Sequence, residues 1–370
     1  MRPSATGCTS SAATASPSFF SSGRPQFGSA PQLEVLAAAD GVAAGVLAEI
    51  REAMNVHSVL RGQVVTFTTS HYEPGAGGVT FVRRPTVSAA EVVLPEGLLA
   101  RVERHVLGIG RHRAELAAAG QHLKRGVLLY GPPGTGKTHT VRHLVGAAQD
   151  STVILLSGLS LQLVTQAADT ARALQPAIVV LEDCDLVAEE RGHFSSSPLL
   201  FEVLDALDGL AADCDVVFLL TTNRADVLEP ALAQRPGRVD LAVEIPLPDA
   251  RARRALLDLY AAELPFGPDV LDEVAVGAEG TTASFAKELV RRSVLRAVER
   301  QGEVSDDDLR TSLEEMMADG GALTRVLLGG AGPADRRGRA SGAGPEFATF
   351  PGVVPASGPA ASAVAAGWDE

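Results

Sequence analysis

The side chains of this 370-residue sequence whose types and spacing suit phosphate chemistry are a Lys-Thr pair, two adjacent carboxylates, an amide and two arginines. Gly131-Pro132-Pro133-Gly134-Thr135-Gly136-Lys137-Thr138 fits the pattern G-x-x-x-x-G-K-[ST]. Its glycines let the backbone curl so that successive N–H groups point into one concavity. With a helix N-terminus behind it, that nest suits the α- and β-phosphates of a nucleotide. Lys137 would reach the β and γ oxygens as a point charge, and the Thr138 hydroxyl can ligate Mg²⁺. His139 follows on the same helix and joins residues 131–138 in the expected nucleotide-binding set.

About 45 residues later, Ile178-Val179-Val180-Leu181 runs into Glu182-Asp183. An apolar strand ending in two acids can place one carboxylate on Mg²⁺ and another beside an attacking water. Val216–Leu220 is a second apolar run; it ends in Thr221-Thr222-Asn223, whose amide can reach a γ-phosphate and a lytic water. Further on lie Arg235 and Arg238, in Arg235-Pro236-Gly237-Arg238-Val239-Asp240. Read from the residues alone, two arginines in a rigid turn pair with surface acids.

These residues need elements to hold them. Gly126–Tyr130 reads as the buried strand that enters the glycine loop, and Val141, Leu144 and Val145 give the following helix its buried face. Strand signals recur at Val153–Leu156, Ile178–Leu181, Val216–Leu220 and Leu241–Ile245, with helical stretches between most of them. That alternation predicts a parallel sheet covered on both faces. After Pro246-Leu247-Pro248, helices are expected over Arg251–Leu264, about Val270–Val276, Ser284–Arg300 and Asp306–Met317, a small all-α domain over 249–328.

Upstream, Pro95 suits the entry of a helix carrying Leu98, Val102, Val106 and Ile109. Val64–Thr69 and Gly78–Val82 look like strands around a turn. With one broken helix or two short ones over Leu33–Met54, they predict a small separate α+β domain over 31–90. Residues 1–30 are rich in Ser, Ala, Thr, Pro and Gly, and residues 329–370 in Gly, Pro, Ala and Ser. Both are expected to be disordered.

Composition narrows the function classes. A net charge of −13 argues against nucleic acid as the main partner, since no basic surplus is available to release counterions. Cys8, Cys184 and Cys214 have neither paired nor C-x-x-C spacing, so neither a disulfide framework nor a zinc site is expected, and a reducing cytoplasm fits. No run of 18 apolar residues occurs, so membrane insertion is not expected.

In order along the chain, Gly131–Thr138, Glu182-Asp183, Thr221-Thr222-Asn223-Arg224 and Arg235-Pro236-Gly237-Arg238 together resemble the AAA+ ATPases, in the branch with paired arginine fingers. The likeness covers about residues 92–320. It implies an α/β P-loop NTPase fold with a five-stranded parallel sheet over 91–248 and a helical lid over 249–328. It also implies ATP and Mg²⁺ as cofactors and a ring homo-oligomer, usually a hexamer, that remodels a protein partner. Carried over by motif, Lys137 and Thr138 are Walker A, Glu182 and Asp183 are Walker B, and Asn223 is sensor 1. Arg235 and Arg238 would act on the neighbour's γ-phosphate, a contribution of about 10³–10⁵ in rate in the GTPase comparison.

Three departures stand out. The acids run Glu-Asp rather than Asp-Glu, which shortens the expected catalytic acid. The segment between Ser157 and Pro176 has no aromatic to grip an extended chain, and the lid's Gly-Ala pair is Ala283-Ser284, with Lys287 the candidate beside it. The Glu-Asp order, the missing aromatic, Val92–Leu98 and Arg235–Asp240 are similar to a mitochondrial AAA translocase branch that handles the folded Rieske protein. That likeness implies that Val92–Leu98 lies near adenine; the branch's membrane helix has no counterpart. The shortened acid leaves open a non-hydrolysing, nucleotide-gated assembly module, and a DNA-acting machine is the third possibility.

Overall fold

The computed structural model describes residues 18–23, 32–37, 41–68, 78–185, 213–224 and 239–318, with 206, 209 and 211 as single positions. Their contacts separate into two units, one of residues 1–87, 99–130 and 138–244, the other of 88–98, 131–137 and 245–370.

The first unit is built on a seven-stranded sheet. Its strands are β3 (Val64–Thr68), β4 (Gly78–Val82), β5 (Arg125–Tyr130), β6 (Thr152–Ser157), β7 (Ala177–Glu182), β8 (Val216–Thr222) and β9 (Leu241–Glu244). Their spatial order is β4-β3-β6-β7-β8-β5-β9. Only β3 and β4 pair antiparallel; every other pairing is parallel. Every residue of β7 and β8 is buried, which is why these segments read as unbroken apolar runs instead of alternating. The order reverses at β5, which has β8 on one side and β9 on the other. In open α/β sheets, ligands sit beyond the carboxyl ends of the strands at such a switch point. The loop that leaves β5 is Gly131–Gly136.

The predicted fold class is observed, with one enlargement. All five expected strands are present, and β3 and β4 extend the sheet to seven. The expectation of a separate domain over 31–90 is therefore corrected for the hairpin. β3 pairs in parallel with β6, from Val64 against Val153 to Thr66 against Leu155. Val64, Val65 and Phe67 are buried, so β3 takes up a place in the core of the nucleotide sheet. The broken helix expected over 33–54 is also corrected. Gln32–Ala37 is strand β2, antiparallel to β1 (Ser18–Gly23), and helix α1 spans Val42–Val56 after Gly41 in a left-handed conformation. The leader expected to be disordered thus carries a strand at 18–23. The rest of residues 1–30 lies outside the described residues, apart from which the tail 329–370 does so entirely.

Around the sheet lie α2 (Leu98–Glu103), α3 (Ile109–Arg111), α4 (Arg113–Ala118), α5 (Lys137–Ala147) and α6 (Val164–Ala173). A π-helical stretch, Arg104–Gly108, joins α2 to α3 and buries Val106 and Leu107. At the start of β5, Arg125 is buried against Asp215 at 2.8 Å and donates to the carbonyls of Leu123 and Val106.

In the second unit, α7 (Ala250–Tyr260), α8 (Pro268–Gly277), α9 (Ala283–Glu299) and α10 (Asp306–Met317) form an all-α region, as the sequence predicts. Its starts are signalled locally. Asp249 accepts from the Ala252 amide, Thr282 from the Phe285 amide, and Pro268 opens α8. Leu257, Val274, Phe285, Leu289, Leu309 and Met316 fill its core.

Removing one member of a buried ion pair strands the other charge in a dry setting. Asp215→Ala is expected to destabilise the protein by about 3–5 kcal/mol in urea unfolding, and replacing both partners with apolar residues of similar volume to cost much less.

Candidate active site

The glycine loop owes its shape to backbone that side chains resist. Gly131, Gly134 and Gly136 have φ of 141°, 74° and 107°, the region that favours glycine. A Cβ on Gly131 would sit 2.2 Å from the Ile245 carbonyl oxygen, so this position is closed to any larger residue. Thr135 ties the loop by donating to the Pro132 carbonyl at 2.9 Å. Lys137 is buried, its ammonium donating at 2.8 Å to the carbonyls of both Gly131 and Pro132. The cation is held inside the curl by groups that an anion could replace. Ser284, at the start of α9, donates its backbone N–H to the Gly134 carbonyl at 3.2 Å. Ala283-Ser284 thus meets the loop through main chain, and Lys287 is exposed one turn further on.

The strand tips hold the acids. Glu182 is the last residue of β7 and is buried, and the Thr138 side chain on α5 is near enough to stabilise its charged form. Burial, reinforced by the neighbouring Asp183 charge, pushes its carboxyl up to about 7; the Thr138 side chain and the Arg142 charge pull the other way. Its Oε1 is buried with no hydrogen-bond partner. A carboxylate and a hydroxyl side by side, with one buried carboxylate oxygen unsatisfied, are a donor set that fits Mg²⁺, a hard cation that prefers oxygen.

Asp183 lies beyond the strand, at a φ of 51°. This left-handed conformation is uncommon outside glycine, though Asp tolerates it best, and such conformations persist only when their surroundings over-determine them. Here the tip of β8 supplies the surroundings. Thr221 Oγ1 accepts from the Asp183 amide at 3.1 Å, and the Thr221 carbonyl accepts from the Cys184 amide at 3.0 Å. Asn223 Nδ2 donates to Asp183 Oδ1 at 3.3 Å. Under both sits Asp185, buried, which accepts from the Thr222 hydroxyl at 3.0 Å and the Asn223 amide at 3.1 Å.

The fold thus brings Thr138 to Glu182 and Asn223 to Asp183. His139 is half-buried on α5. Arg235 and Arg238 lie outside the described residues. Sequence reasoning missed Asp185, Thr221 and Arg142. For Asp185 a signal existed, a third acid three residues after Glu182; for Thr221 and Arg142 only the folded contacts speak.

Residues 127–247 match the family described as ATPase family associated with various cellular activities (AAA). This region belongs to the AAA ATPase family. ATP and Mg²⁺ are the cofactors of such a domain. The chain is 33% identical over 265 residues to ATP-dependent zinc metalloprotease FtsH 3 of Sphaerobacter thermophilus, covering 67% of this chain and 53% of that protein. FtsH 4 of the same organism is 31% identical over 287 residues, covering 74% and 42%. For the FtsH of Hahella chejuensis the figures are 36% over 188 residues, 47% and 30%. The chain therefore spans about half the length of these relatives, or less. Zinc-dependent proteolysis is said of those proteins; H-E-x-x-H, the helical zinc-protease motif, does not occur in these 370 residues. Among the described residues, no group of three or more His, Cys, Asp or Glu side chains could hold a metal ion, and no helix is long and apolar enough to cross a membrane. The finer likeness to Rieske-protein translocases rests on the motifs alone.

The raised Glu182 carboxyl has a measurable consequence in metal-free AAA protein. Between the ordinary carboxylate range and about 7, the folded state keeps a proton that the unfolded chain has released. Its contribution to stability is therefore complete at low pH and lost as pH rises through about 7. Melting in a chelator at about pH 5 and about pH 8 should show wild type losing more stability across the interval than Glu182→Gln.

Proposed function

We propose that this chain is a Mg²⁺-dependent ATPase that works as a ring of identical subunits, a hexamer by its likeness, and couples turnover to remodelling of a protein partner. The observation that carries the reading is the division of labour at the strand tips. Glu182 lies beside Thr138 and keeps an unsatisfied buried oxygen, whereas Asp183 is held outside the strand within reach of the Asn223 amide.

Mg²⁺, when bound, would supply charge neutralisation at the transferring phosphoryl group. Everything else falls to this chain's own residues. The backbone amides of Gly131–Gly136 and the Lys137 ammonium bind the phosphates. Glu182 and Thr138 hold the cation. Asp183 accepts the proton of the attacking water, and Asn223 orients that water and the γ-phosphate. Arg235 and Arg238 act on the neighbouring subunit's nucleotide, which makes the ring part of the catalyst. The reversed acids keep their order of duties in this reading. Glu182, though longer, stays at the metal because it ends the strand, and the short Asp183 reaches outward because its left-handed backbone turns it away from β7. A cytoplasmic setting accords with the free, buried Cys184 and Cys214.

The second reading, a nucleotide-gated scaffold that does not hydrolyse, is favoured by the shorter side chain at Asp183. Phosphate release decides between them. Wild type is expected to release phosphate and Lys137→Ala to release none; equal release from both, with ATP still bound by wild type, would establish the scaffold. Asp183→Asn should retain ATP and slow turnover by about 10²–10⁴-fold, the usual contribution of a positioned base. Glu182→Gln should instead raise the Mg²⁺ concentration needed. Arg235→Ala and Arg238→Ala should keep nucleotide affinity and lose turnover, as measured by equilibrium binding beside steady-state release.

A further inference from the structure

Residues 84–87 form a strap along the inner half of α5, fastened at three points. Arg84, two residues beyond β4, donates from one guanidinium nitrogen to the carbonyls of Val145 at 2.7 Å and Ala148 at 2.9 Å. The other nitrogen donates to Gly62 at 3.0 Å and Ser151 at 2.9 Å. Burial lowers the Arg84 pKa, and Asp150 supplies an opposing charge. The cation thus sits at the negative end of the α5 dipole and satisfies carbonyls that a helix C-terminus leaves open. At the second point, Gly146 lets the strap touch the helix, since a Cβ there would lie 2.6 Å from the Pro85 carbonyl oxygen. At the third, His143 has Nδ1 2.9 Å from the Val87 carbonyl and Nε2 2.8 Å from the Glu103 carboxylate on α2.

All three contacts fall on the C-terminal half of α5, away from the end that carries Lys137 and Thr138. They serve to fix where it lies. The helix opens with Lys137 and Thr138, and the strap is continuous with the β3–β4 hairpin, whose Val79 and Phe81 are exposed.

We propose that Arg84 is a positioning residue for nucleotide turnover. Through the strap it holds α5 at the depth where Thr138 lies beside Glu182. This rests on the ATPase reading above.

The test uses the full chain with Arg84→Ala, Arg84→Lys and Gly146→Ala, and Ile154→Val in β6 as a control for destabilisation alone. Hydrogen exchange of the nucleotide-free proteins is read at α5, and Mg²⁺ half-activation and kcat are read in phosphate release. Arg84→Ala should speed exchange through the last turns of α5, raise the half-activating Mg²⁺ and lower kcat about tenfold, within the roughly 10²-fold that a distant misplacement can cost. Arg84→Lys, which keeps the charge and three donors, should recover part of the loss. Gly146→Ala, which pushes the strap away from the helix side, should give the same signature even if Arg84→Ala does not fold. Ile154→Val should leave the Mg²⁺ response unchanged.

If Arg84→Ala and Gly146→Ala lower only the melting temperature, as the control does, the proposal is overturned and the ATPase reading stands. If wild type releases no phosphate, the ATPase reading fails instead. Nucleotide affinity then replaces turnover, and unchanged affinity with unchanged α5 exchange in both variants overturns the strap.

Discussion

A carboxyl group taken out of water must find a hydrogen-bond donor, a cation or a proton. Glu182 is placed beside the Thr138 hydroxyl, with one buried oxygen that has no partner. The rest of the first unit makes that placement unavoidable. β7 is buried along its whole length, so its last side chain enters the interior before the backbone can turn out. The unsatisfied oxygen is a standing demand for a proton or a cation.

One residue later the constraint changes sign. Asp183 is out of the strand and out of ordinary backbone space, and the neighbouring strand holds it there through Thr221 and Asn223. Asp185 then anchors that neighbouring tip through Thr222 and the Asn223 main chain. Two adjacent parallel strands therefore fix each other's ends, and two side chains next to each other in sequence acquire different surroundings. Neighbouring acids held in such different surroundings differ in how readily each ionises, an environment effect of the kind that separates paired acids in other enzymes.

Much of this was legible beforehand, and for identifiable reasons. The spacing of Gly131, Gly136, Lys137 and Thr138 reflects local backbone geometry, so it can be read without knowing what surrounds it. The buried strands announce themselves because both faces are covered. Lid helices begin at Asp249, Pro268, Thr282 and Ser305 through caps that involve residues at most three apart. What misled was the amino-terminal region. Val64–Thr68 reads as a strand wherever it goes, and nothing in five residues states that its neighbour is β6, some ninety positions away. Likewise, the Ala-rich stretch from Leu33 has helical composition throughout, but its first residues pair with Ser18–Gly23.

The sequence by itself determined the chemistry that is available: a phosphate nest, a lysine, a hydroxyl, paired acids and an amide, each set by residue type and near spacing. Only the tertiary structure decided how these groups differ from one another. Which acid is buried, which oxygen lacks a partner, what Asp185 anchors and which carbonyls Arg84 holds all depend on contacts between segments far apart in the chain. Such contacts follow from how strands order in the sheet and how deeply each end is covered, and no local run of residues records either quantity.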